Sequence, residues 1–152
     1  MNENEPQIDP KEVLSNELKE MAVKFGFEKD ESVTPMEDEI KKLWEESKDD
    51  IFSDEIREKV GAYQEMCEKV VEKAIEEGKG ENPNLGKNID YALFVYTCYK
   101  GGNIALKDYC NDTLYDVRDN ADQEYQDEVV KKIEQLIQLL KEFNFRGNGP
   151  PH

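Results

Sequence analysis

Nucleophilic catalysis of the serine or cysteine type needs a base beside the nucleophile, usually histidine. This chain has a single histidine, His152, which follows two prolines at the very end. Its three cysteines, Cys67, Cys98 and Cys110, form no CxxC and stand near no histidine. A zinc site of four closely spaced N/S ligands is therefore not available. Di-iron carboxylate bundles need Glu-x-x-His, which does not occur. The stretch Asp116–Asp122 lacks the glycine and the spacing of a calcium loop, and GKGENPNLG at 78–86 carries neither a Walker lysine nor GxGxxG. Acidic pairs such as Glu45-Glu46 and Asp49-Asp50 are what a chain with 36 acids presents on solvated helix faces. The exception is Asp90, which opens an apolar run and there suits a helix dipole. These residues predict a protein that is not an enzyme and holds no metal or cofactor.

Thirty-six acids against twenty bases give a formal charge of −16. Such a chain repels nucleic acid phosphates and anionic lipid surfaces. The acidity serves solubility, and beyond that it favours cationic partners: amines, basic peptides or divalent metals. No nucleic acid and no membrane partner is expected.

The element that must organise the chain is Asn88–Lys100, NIDYALFVYTCYK. Its nine residues from Tyr91 to Tyr99 are uncharged in a chain that is 37% charged. As a helix it is apolar on every side, which in a soluble protein means buried and packed on by its neighbours. It is far too short for a bilayer, which needs roughly 20 residues.

The other elements read as helices arranged around it. Asp9-Pro10 is an N-cap followed by proline at the first helical position. Val13, Leu14, Leu18, Met21, Ala22 and Phe25 then recur at helical spacing up to a Gly26 cap. Thr34-Pro35-Met36-Glu37 reads as a capping box opening a helix with Ile40, Leu43 and Trp44 on one face. Ser53 caps the most regular stripe, Ile56, Val60, Tyr63, Cys67, Val70, Val71 and Ala74, which Gly78 ends. After Gly101-Gly102, Asn103 can cap a helix carrying Ile104, Leu106, Tyr109, Cys110 and Leu114, with a break near Asp119-Asn120. Tyr125, Val129, Ile133, Leu136, Ile137, Leu140 and Phe143 make the last amphipathic helix. No segment alternates with period two, so the expected fold is all-α: a compact bundle of about six helices around 88–100. One domain spans 9–145, with disordered ends at 1–8 and 146–152, and the chain is expected to be a monomer.

Within Ser53–Lys100, the run SDEIREKV leading into the Cys67 helix, a polar loop, and then YALFVYTCYK resembles the insect odorant-binding protein superfamily. That superfamily includes cysteine-poor members and the salivary ligand scavengers of blood-feeding insects, the types this stretch resembles. The Cys67 and Cys98 helices look like the family's fourth- and sixth-cysteine helices, with the fifth cysteine missing. A second register takes Cys98 and Cys110 as the fourth and fifth and lacks the sixth at Asp119. The resemblance implies a secreted all-α carrier with an internal cavity for a hydrophobic or amine ligand. The acidic start NENEPQIDP behind Met1 reads in the same way. In the first register the resemblance implies a Cys67–Cys98 disulfide, and near-equal distances of the two from the 78–86 loop permit it. It also implies a ligand cavity lined by the central helix, with Trp44, Tyr63, Tyr91, Phe94, Tyr96 and Tyr99 as candidate contacts. The same aromatics also serve as a filled core. The alternative function is a ligand-free helical interaction protein, either a salivary effector binding a host protein or a cytoplasmic regulatory module.

Overall fold

The computed structural model describes residues 9–47, 50–99 and 104–148, with side chains up to Lys141. Six α-helices follow in order: α1 (Pro10–Phe25), α2 (Thr34–Glu46), α3 (Asp54–Glu76), α4 (Pro83–Tyr99), α5 (Ile104–Asn120) and α6 (Lys131–Asn148). A 3₁₀ turn at Gln123–Tyr125 and a π-helical turn at Gln126–Val130 lead into α6. Among the described residues there is no strand. The fold is all-α. The ends expected to be disordered lie outside the described residues, except that α6 carries helical backbone to Asn148.

Helix α4 is mostly buried, with twelve of its seventeen residues covered between Pro83 and Tyr99 and only a narrow edge at Asn84, Asn88 and Thr97 exposed. It packs chiefly on α5 and α1, and also on α3 and α2, while α6 closes the bundle against α1 and α5. Val129, Ile133, Leu136, Ile137 and Leu140 are all buried, so the final stripe is docked.

The helix ends follow the capping chemistry with two exceptions. Asp9 accepts from Lys11 N at 2.9 Å, with Pro10 at the first position, and Ser53 accepts from Ile56 N at 3.4 Å. The central helix, however, starts at Pro83 rather than Asn88. Asn82 is its cap, accepting from Leu85 N at 3.1 Å, so Asn82-Pro83 repeats the cap-plus-proline pattern of Asp9-Pro10. Thr34 does not cap α2 either. The preceding residue, Val33, is buried in the core with helical backbone and makes no side-chain cap bond. Glu37, placed at the third position of the expected capping box, is turned inward instead.

Close approach fixes α1 on the start of α4. Gly26 has φ +123° and Gly80 φ +71°, and a Cβ on Gly80 would lie 2.0 Å from Phe25 O. Asn82 N donates to that same Phe25 oxygen at 2.8 Å. At Gly86 an added Cβ would meet Ala22 O at 2.6 Å, so only glycine lets α4 lie this close to α1.

The early start of α4 also overturns the Cys67–Cys98 disulfide. All three cysteines are free and buried. Cys67 lies nine residues before the end of α3 at Glu76, but Cys98 lies fifteen past Pro83. At 1.5 Å per residue the two stand about 9 Å out of level, beyond the ~7 Å that a disulfide tolerates between α-carbons. The residues of α4 opposite Cys67 are Lys87, Asn88 and Tyr91. Burial raises the thiols of Cys67, Cys98 and Cys110 to about 11, 12 and 12. A thiol reagent such as DTNB should therefore count three thiols in guanidinium chloride and almost none in the native protein. Fewer than three in denaturant would point to a bond.

Phe94 is buried with its ring centroid 5.5 Å from Tyr63 and 5.9 Å from Trp44. Phe94→Ala should destabilise by roughly 3–5 kcal/mol in urea denaturation, as other large core truncations do. A loss under ~1 kcal/mol would mean that α4 is not the central element.

Candidate functional site

Four of the six candidate contact residues converge. Trp44 of α2, Tyr63 of α3 and Tyr91 and Phe94 of α4 form one aromatic cluster. Tyr109 of α5 extends it to Phe52, at centroid distances of 6.1 Å from Trp44 and 5.5 Å from Phe52. Trp44 Nε1 donates to Ile51 O at 3.1 Å, and the hydroxyls of Tyr91 and Tyr109 bond to one another at 2.8 Å. Trp44 and Phe94 thus pack as core. Tyr96 faces α1, and Tyr99 is buried at the end of α4.

Where the cluster meets the surface it borders a cleft of about 240 Å³ between α3 and α4, lined by Tyr63, Cys67, Glu68, Lys87, Asn88 and Tyr91, with Gln64. Tyr63 continues inward. Its hydroxyl donates to Glu37 Oε2 at 2.7 Å, and Lys29 Nζ donates to both oxygens of Glu37 at 3.0 and 3.1 Å. Lys29 Nζ also stands 3.5 Å from Asp90 Oδ2, an ion pair longer than its bonds to Glu37, and among the described residues that buried oxygen has no well-formed hydrogen bond. On its other side Lys29 borders a more open cleft of about 400 Å³ between the α1–α2 connector and the C-terminal half of α3. Lys69, Lys73 and Lys79 lie there beside Glu28, Asp30 and Glu77.

One ammonium therefore serves two buried carboxylates, and the group carries an excess negative charge. Burial acts against the Lys29 charge, but Asp90 and Glu37 outweigh it and hold its pKa above the ordinary value. At Asp90 burial wins: desolvation and the Glu37 charge raise its carboxyl above the usual range despite Lys29. Tyr63 and Tyr91 are held firmly in the phenol form, chiefly by burial. Among the described residues, no three His, Cys, Asp or Glu side chains gather as a metal site.

Sequence reasoning missed Lys29 and Glu37 and gave Asp90 the wrong role. Asp90 lies seven residues into α4, past the reach of the helix N-terminus, so it is not there to complement a dipole. Glu37 had a legible signal, since it precedes Ile40 and Trp44 by three and seven residues on the buried face of α2. Lys29, in a connector, had none.

No protein-family model, no curated protein and no solved structure matches this chain. The odorant-binding resemblance is thus an expectation drawn from the sequence.

Asp90 gives the site a pH signature. An acid whose pKa is higher folded than unfolded takes up protons more readily in the folded state. Its contribution to stability is full below the ordinary value of 3.8 and is lost as pH rises toward the folded value. Asp90→Asn should match the parent in urea denaturation near pH 4 and gain on it as pH rises to neutrality. A variant that instead falls behind with rising pH would show that the Lys29 pair, not burial, governs Asp90.

Proposed function

We propose that this protein is a non-catalytic, secreted binder or scavenger of a small amine, held in the α3–α4 cleft. The carrying observation is the pairing of two tyrosines at the cleft with a buried, under-bonded carboxylate behind them. Asp90 follows the cleft residue Asn88 by two positions on α4 and does not itself line the cleft; its buried Oδ2 is ion-paired with Lys29 at 3.5 Å and, among the described residues, has no hydrogen bond. An ammonium brought beside it would offset the excess negative charge of the Lys29–Glu37–Asp90 group. The faces of Tyr63 and Tyr91 can add cation–π attraction, about 0.5–2 kcal/mol each. Glu68 and Lys87 at the rim cancel one another, while the overall charge of −16 draws cations from a distance.

Size favours one of the two ligand types that the odorant-binding resemblance implies. Ligand sites for drug-sized molecules run from ~300 to 1,000 Å³. A cleft of about 240 Å³ suits a small amine better than a long hydrophobic ligand. Trp44 and Phe94 pack on each other at 5.9 Å, so they shape the cleft from behind rather than touch its contents.

Calorimetric titration with an arylalkylamine, the alcohol of the same skeleton and a fatty acid tests this. The amine should bind at least ten times more tightly than the alcohol, with about 1.4 kcal/mol from the charge. Tyr91→Ala and Asp90→Asn should each remove most of that preference. Equal binding of amine and alcohol, or no binding of either, would sink the proposal and leave the ligand-free interaction protein as the better reading. Val23, Phe52, Ile75 and Ile104 are the large apolar side chains most exposed for such contacts.

A further inference from the structure

A second cleft, about 250 Å³, lies between α1 and α4 on another face of the central helix. The close contact of Gly86 with Ala22 pins one end of the two helices, and Tyr96 feels the charges of Asp9 and Glu12 at the other, so they run antiparallel. From α1 come Glu12, Ser15, Asn16 and Lys19, which share one face over two turns; from α4 come Leu93, Tyr96 and Thr97. Ser15 and Tyr96 are 7% and 4% exposed, and neither hydroxyl has a hydrogen-bond partner among the described residues. A buried hydroxyl without a partner is unfavourable, and two bordering one cleft point to something that fills it.

The lining specifies the chemistry. Glu12 and Lys19 oppose each other at the two ends, about 10 Å apart along α1, so the cleft has no net charge. Between them stand only uncharged groups. Serine and tyrosine hydroxyls both donate and accept, the Asn16 amide does the same, and Thr97 Oγ1, which donates to Leu93 O at 2.9 Å, keeps its lone pairs. Groups that donate and accept at once are best matched by other hydroxyls. Leu93 and the Tyr96 ring offer an apolar wall for the carbon skeleton. We propose that this cleft binds a small uncharged polyhydroxylated molecule, of the polyol or monosaccharide class, through Ser15 and Tyr96. This site is separate from the amine cleft and does not depend on it.

The experiment is a ¹H–¹⁵N NMR titration of the full chain with myo-inositol and glucose, and with glycine as a zwitterion. Saturable shifts confined to Glu12–Lys19 and Leu93–Thr97 are expected with the polyols, with dissociation constants in the millimolar range. Tyr96→Phe should weaken binding at least tenfold. Its urea midpoint without ligand should be unchanged or higher, because the lost hydroxyl had no partner to leave behind. Ser15→Ala should also weaken binding while leaving amine binding at the α3–α4 cleft intact. Shifts that stay linear to about 100 mM, saturation with glycine alone, or a lowered midpoint for Tyr96→Phe would each overturn the proposal; the first would mean that the hydroxyls meet only ordered water.

Discussion

The Lys29 ammonium ties the α1–α2 connector to three helices at one buried point. It holds Glu37 on α2 and pairs with Asp90 on α4, and through Glu37 it fixes the hydroxyl of Tyr63 on α3. Ion pairs taken out of water contribute little net stability against an apolar replacement, yet removing one partner is strongly destabilising because the other charge stays buried. The group therefore acts as a register device. It selects the rotation of α2 that turns Glu37 inward, and with it the placement of Trp44 two turns further on. It also sets the pitch of Tyr63 against Tyr91, which shapes the α3–α4 cleft.

Around that point the architecture answers a simpler demand. A helix that is apolar on all sides has to be covered on all sides, and α4 obtains its cover from α1, α5, α3 and α2. Glycine at Gly86 and at the Gly26–Gly80 contact lets α1 approach closely enough to seal one flank. The aromatic side chains on the α2–α3 flank seal another by packing on each other. The clefts lie at the edges of α4, where mixed polar and apolar side chains meet those of α1 and α3. The two proposed sites lie on such edges, one negative behind tyrosine faces and one neutral and rich in hydroxyls.

The acidity of the chain fits this division. Among the described residues most carboxylates are solvated, whereas Glu37 and Asp90 are desolvated and paired with Lys29. Among the described residues no helix is long and apolar enough to cross a membrane.

Much of the fold was legible in the residues. The Asp9-Pro10 and Ser53 caps, the Ile56–Ala74 and Val129–Leu140 stripes and the uncharged run 91–99 reflect local stereochemistry and hydrophobic periodicity, which act within one or two turns of chain. What could not be read depends on which helices meet and at what height. Asn82-Pro83 follows the same rule as Asp9-Pro10, but only the docking of Phe25 and Gly26 onto the 79–82 turn shows that α4 starts there. That five-residue change moves Cys98 out of reach of Cys67. Glu37 satisfies the sequence rule for a capping box and the pattern of a buried face equally well, and a lysine in the connector just before α2 decides between them. Local pattern determined the helices and their buried stripes. Partner, register and the fate of buried charge belong to tertiary structure, because a desolvated carboxylate is stable only where some other part of the chain brings its counter-charge.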